Sequence, residues 1–111
     1  MAVYANLIID QGADYFSTVT VEGSNGLPYD LTGHTVSGKI RRSYTSTTYF
    51  SFAASVLDPT AGEINMELSH IVTASMKSGR YVYDVIITET VTGDITRVLE
   101  GQVEVNPGVT V

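Results

Sequence analysis

The chain has 111 residues, 43% of them hydrophobic and 16% charged, with a formal net charge of −6 and no cysteine. That composition is too apolar for a disordered segment, and the acidic balance argues against a general nucleic-acid binder, which needs surplus Lys and Arg to neutralise phosphates. The absence of cysteine excludes disulfides, thiolate metal sites and a cysteine nucleophile. The length implies one domain, residues 1–111, that buries roughly two-thirds of its unfolded surface. The opening has neither the basic nor the long apolar region of a signal peptide, and no run of about 18 apolar residues occurs, so no membrane partner is expected.

In chain order, "ANLIID" gives a first short strand. "ADYFSTVTVE" places Tyr15, Val19 and Val21 on one face and Thr18, Thr20 and Glu22 on the other. "HTVSGKIRR" sets Val36 and Ile40 against Thr35, Lys39 and Arg41, and "TYFSFAASVL" reads as one strand with Phe50, Phe52, Ala54 and Val56 inward. "EINMEL" alternates most cleanly, with Ile64, Met66 and Leu68 inward. In "SHIVTASM", Ser69 is placed to cap a helical turn whose Ile71, Val72 and Met76 would cover the end of the core. "RYVYDVIITE" is apolar on both parities, through Tyr81, Tyr83, Val85 and Ile87 and also Val82 and Ile86. It is therefore expected to be central and covered on both faces. The last strand, "ITRVLEGQVEV", carries Gly101 in its interior, where a bulge or tight bend is expected.

About seven short strands with Gly, Pro, Asn and Asp between them predict an all-β, immunoglobulin-like β-sandwich with one short helical turn before the penultimate strand. "SGRYVY" has the arrangement of a tyrosine corner, a Gly-bearing turn (Gly79) followed by a tyrosine (Tyr81) whose hydroxyl bonds back to upstream backbone. Two ordinary core tyrosines would give the same letters, and both readings concern stability.

Little in the sequence points to catalysis. His34 and His70 belong to no metal-ligating pattern, and "GSNG" lacks the Lys and Ser or Thr of a phosphate loop. A hydrolase would need Ser69, one of the histidines and a carboxylate to converge, without any G-x-S-x-G elbow. No cofactor or metal is expected, and no enzyme. Asp84 and Arg80 share a parity and are placed to pair with Arg97 or Glu100 across a ladder.

The basic focus is Lys39, Arg41 and Arg42, with Tyr44 and Tyr49 nearby. These five residues are the candidate interface, facing an acidic partner or stacking on aromatics. A solvated face balanced by neighbouring carboxylates would use the same residues.

Four segments, "NLIIDQGADYFSTVTV" (6–21), "DLTGHTVSGKIRRSY" (30–44), "AGEINMELS" (61–69) and "SGRYVYDVIIT" through "TRVLEGQVEVNPGVT" (78–110), carry a resemblance that spans nearly the whole chain. It resembles a family of small virion structural proteins of tailed phages, particularly contractile-tailed phages of cyanobacteria. His34 after "DLTG", in place of an aromatic, and the terminal Val111, in place of a basic residue, depart from the family pattern. The resemblance implies a non-enzymatic module on the particle surface, as capsid decoration or a neck, tail or baseplate accessory. It also implies partners among other virion proteins, many symmetry-related copies, and assembly in the host cytoplasm. The alternative, a host-surface or carbohydrate-binding module, would use sandwich loops and tyrosines.

Overall fold

In the computed structural model, residues 3–23 and 26–110 are described; Val111 and the middle of the "GSNG" turn lie outside the described residues. The alternating segments build two sheets. Strands β3 (Tyr15–Thr20), β7 (Glu63–Leu68) and β6 (Ala53–Asp58) form an antiparallel sheet in the order β3-β7-β6. The second sheet holds β5 (Phe50–Ser51), β4 (His34–Arg41), β8 (Gly79–Glu89) and β9 (Ile95–Asn106), neighbours in that order and antiparallel. The chain's first strand comes in two pieces, β1 (Val3–Tyr4) and β2 (Leu7–Asp10), both parallel to β9. This is the connectivity of an immunoglobulin-like sandwich. Its core is where the inward parities meet: Ile64, Met66 and Leu68 from one sheet, and Ile40, Tyr83, Val85, Ile87, Val103 and Val105 from the other.

"TYFSFAASVL" is not one strand. β5 pairs with β4, the chain crosses between sheets at Phe52, and β6 then pairs with β7. Alternation runs on unbroken because inward-facing residues stay inward whichever sheet holds them. At the crossing, the buried Phe52 ring lies 6.3 Å from the Tyr15 ring and 6.1 Å from that of Tyr83. Gly38 of β4 makes room for it, since a Cβ there would sit 2.9 Å from Phe52 Cδ2.

β8 is central, as its composition suggests, but only one of its faces is packed against the other sheet. Val82 and Ile86 lie half-buried on the outer face, where the register sets Arg41 opposite Val82 and Arg97 opposite Ile86. Long basic side chains shelter apolar surface with their stems, so an outward Val or Ile here does not need a second layer of protein.

The bulge in β9 falls at Val98, not Gly101: Val85 pairs with Leu99 but Ile86 with Arg97, so Val98 and Leu99 are both buried. Gly101 serves a close approach instead. A Cβ on it would collide with the carbonyl of Ala5, where the first strand steps from β1 to β2. Ala5 is fixed there by its N–H donating to Glu100 O (2.8 Å) and by its carbonyl accepting from the Tyr83 hydroxyl (2.7 Å).

Helix α1 (His70–Ser75) is capped by Ser69, whose hydroxyl accepts from the Val72 N–H at 3.4 Å. Met76 is buried and Val72 packs against the core, but Ile71 points out with 73% of its surface exposed. The buried inward position belongs to Thr73, whose hydroxyl donates to Ala13 O (2.8 Å) and accepts from the Gly12 N–H (3.1 Å). A helix this short has little stability alone, and these bonds tie it to the loop between β2 and β3. Beyond it, the Tyr81 hydroxyl donates to the carbonyl of Lys77, four residues upstream, at 2.7 Å, which is the tyrosine-corner bond. Gly79, at φ +132°, begins β8, with the Arg42 guanidinium packed where a side chain would have to go.

Candidate functional site

The outer face of the larger sheet gathers most of the molecule's organised charge. Strand register brings Lys39 of β4 opposite Asp84 of β8, and Asp84 opposite Glu100 of β9. Arg97 reaches both carboxylates, with Nε 3.4 Å from Asp84 and Nη1 3.9 Å from Glu100. Lys39 does not close on Asp84. Its Nζ lies 4.2 Å from the centroid of the Tyr49 ring, and the Arg41 guanidinium is 5.1 Å from the same centroid.

Arg41 is further fixed by an Nη1 bond to Ser46 O (2.7 Å), so the loop between β4 and β5 folds back and lays Tyr49 over both cations. Such contacts contribute about 0.5–1 kcal/mol each at exposed sites, enough to bias two flexible side chains toward one arrangement. Lys39 and Arg41, together with Tyr44, which is 81% exposed, line a cleft of about 220 Å³.

The charges divide in a useful way. Arg97 is matched by two carboxylates, whereas Lys39 and Arg41 have no carboxylate within ion-pair distance among the described residues. A partner approaching this face meets two cations held under an aromatic ring, an arrangement that favours carboxylate-bearing groups and aromatic contact.

Of the five residues expected at an interface, the structure brings Lys39, Arg41 and Tyr44 to this cleft, and Tyr49 stacks on Lys39 and Arg41 without lining it. Arg42 is elsewhere: on the opposite parity from Arg41, it turns to the sandwich end and lies 4.8 Å from the Tyr81 ring. Asp84, Arg97 and Glu100 complete the cleft. Their mutual pairing is readable from spacing, but their place beside Lys39 depends on which strands are neighbours, and no local pattern encodes that.

The histidines sit apart from it. The His34 ring meets Tyr29 edge-on at 5.8 Å, with Nδ1 3.2 Å from Thr32 O. His70 Nδ1 is 2.9 Å from Asp14 Oδ1, and its backbone N–H donates to the same oxygen at 2.6 Å. The side-chain bond from His70, then its backbone bond, holds the Asp14 carboxyl below its ordinary range. Ser69 is engaged as the helix cap and makes no hydrogen bond with either histidine, so a Ser–His–carboxylate relay is not assembled among the described residues.

No family model matches the chain, and no curated protein sequence does. Among solved structures it is similar to part of InlP from Listeria monocytogenes, at 17% identity and a TM-score of 0.47, covering 95% of this chain and 28% of that one. It is also similar to part of a family 123 glycoside hydrolase from Clostridium perfringens, at 13% identity and a TM-score of 0.42, covering 96% of this chain and 23% of the enzyme. The chain therefore spans about a quarter of the length of these two proteins. Likeness at this level carries no argument about function.

Proposed function

We propose that this chain is a non-enzymatic structural module of a tailed-phage virion, a β-sandwich that docks on other particle proteins through the outer face of its larger sheet. The observation that carries the docking surface is the pair of cations, Lys39 and Arg41, held beneath Tyr49 with no carboxylate in ion-pair distance among the described residues, next to the exposed Tyr44. Exposed tyrosines supply interface contact at small entropic cost, and arginine is enriched at interfaces. The virion assignment rests on the sequence resemblance across residues 6–21, 30–44, 61–69 and 78–110. Many copies on a symmetric particle would give such a small contact the avidity that a single one lacks.

The test is immunogold labelling of intact purified particles with an antibody against this protein, with mass spectrometry of the same particles. Label over the head assigns capsid decoration, and label at the neck, tail or baseplate assigns an accessory there. Absence of the protein from particles overturns the proposal. In that case a positive glycan array, abolished by Tyr49→Ala, would install a host-surface module in its place.

A further inference from the structure

A β-sandwich that is not closed into a barrel has edge strands, and unpaired edges invite other strands. In this chain the edges are treated unequally. β5 is only two residues long, β6 has a register shift between Val56 and Asp58 and runs into Pro59, and the edge made by β1 and β2 is interrupted at Ala5 and Asn6. Short length, bulges, proline and breaks all blunt pairing.

β3 has none of these. It runs Tyr-Phe-Ser-Thr-Val-Thr without a charge, proline, glycine or register shift, and among the described residues it pairs with β7 alone. The first strand of the chain does not flank it but lies in the other sheet on β9. The rim beneath β3 is correspondingly open: Tyr15, Ser17 and Val19 face inward yet are only half-buried, while their partners Leu68, Met66 and Ile64 are fully buried.

The backbone groups that point outward can be named. Just beyond the strand, the Val21 N–H donates to Gly62 O at 2.7 Å, continuing the same ladder. Antiparallel bonding alternates, so Tyr15, Ser17 and Val19 bond to β7, and the N–H and C=O of Phe16, Thr18 and Thr20 face the open edge.

We propose that β3 pairs antiparallel with β3 of a second copy of this chain, Thr18 opposite Thr18 on a two-fold axis, joining the two three-stranded sheets into one. A two-fold normal to the sheet keeps each residue on its own face, so opposed residues must share parity. The register centred on Thr18 sets Phe16 against Thr20 and uses every outward-facing backbone group of the strand. A shift by two residues pairs Phe16 or Thr20 with a residue outside it. Opposed threonines and an aromatic against a β-branched residue are favourable cross-strand pairs. Asp14 and Glu22 come opposite one another beyond the strand ends, and each chain carries a net charge of −6, so added salt strengthens this dimer. Association through the charged outer face would weaken with salt instead. The inference is independent of the particle assignment.

Sedimentation velocity of the intact chain over a concentration series, at low and high salt, reads the association directly. Thr18→Pro removes an N–H that β7 does not use, and Thr18→Lys sets two cations face to face on the axis. The expected result is a monomer–dimer equilibrium tightened by salt and lost in both variants, with the Phe16, Thr18 and Thr20 amides protected from hydrogen exchange only in the dimer. If Thr18→Pro does not fold, Thr18→Lys decides. A monomer at every concentration, including one whose three amides become protected only in assembled particles, overturns the proposal, as does a dimer that survives Thr18→Lys.

Discussion

Replacing Tyr83 by Phe tests how the first strand is anchored, and the outcome reverses sign with pH. Tyr83 is 4% exposed and its hydroxyl donates to Ala5 O at 2.7 Å. Removing the hydroxyl strands that carbonyl, at a cost of about 1–2 kcal/mol near neutrality. Burial, and then the neighbouring Tyr15 and Tyr4, push the Tyr83 phenol from 10.0 up to about 12. A phenol whose folded pKa is raised keeps its proton longer in the native state than in the unfolded chain. Its contribution is complete below about pH 10 and is lost as pH climbs toward about 12, a loss of roughly 2–3 kcal/mol.

The variant has no such group to lose. Wild type should therefore be the more stable protein near neutrality, the gap should shrink above about pH 10, and the two should cross near pH ~11. Groups that do not interact with Tyr83 contribute alike in both proteins and drop out of the difference. Urea unfolding followed by circular dichroism across that range supplies the comparison. A gap of constant size from about pH 8 to 12 would refute the reasoning, because it would mean that Tyr83 ionises alike in both states.

Gly101→Ala drives a methyl group into the Ala5 carbonyl and should cost about 1–3 kcal/mol, seen as a lower melting temperature with faster exchange of the Ala5 amide. Thr73→Val keeps the shape but removes a buried hydroxyl bonded to Ala13 and Gly12; a loss of about 1–3 kcal/mol in urea unfolding is expected. The lowered Asp14 carboxyl contributes stability above its unfolded pKa and loses it as pH falls through the folded value. Asp14→Asn should therefore flatten the acid limb of the stability curve, measured as urea midpoints on acidification.

Strand parity was legible in the sequence almost throughout, because a half-buried sheet imposes period two on any chain that forms it. The short helix and its cap were legible too, through Ser69 and the break in alternation. Strand neighbours were not. The run from Tyr49 to Leu57 changes sheets at Phe52 without changing parity, so nothing in its pattern marks the switch. Arg42 follows Arg41 in sequence yet faces the other way, as one step along a strand requires. Gly101 reads as a bend in isolation; only the path of Ala5 across it reveals a clearance. The candidate cleft depends on Lys39, Asp84 and Glu100 sharing one row across three strands, a relation that exists only once the ladder is formed.

The two-piece first strand lies parallel to the last one, with Val3 opposite Leu99 and Asp10 opposite Asn106. Tension applied between Val3 and Asn106 would therefore run along both strands in opposite senses and load their hydrogen bonds in shear. Bonds loaded this way share the force and yield together, whereas a hairpin pulled from its open end unzips one rung at a time. With Tyr83 bolting the step at Ala5, the fold has a mechanical clamp along its first and last strands, and its rupture force should fall when that single hydroxyl is removed.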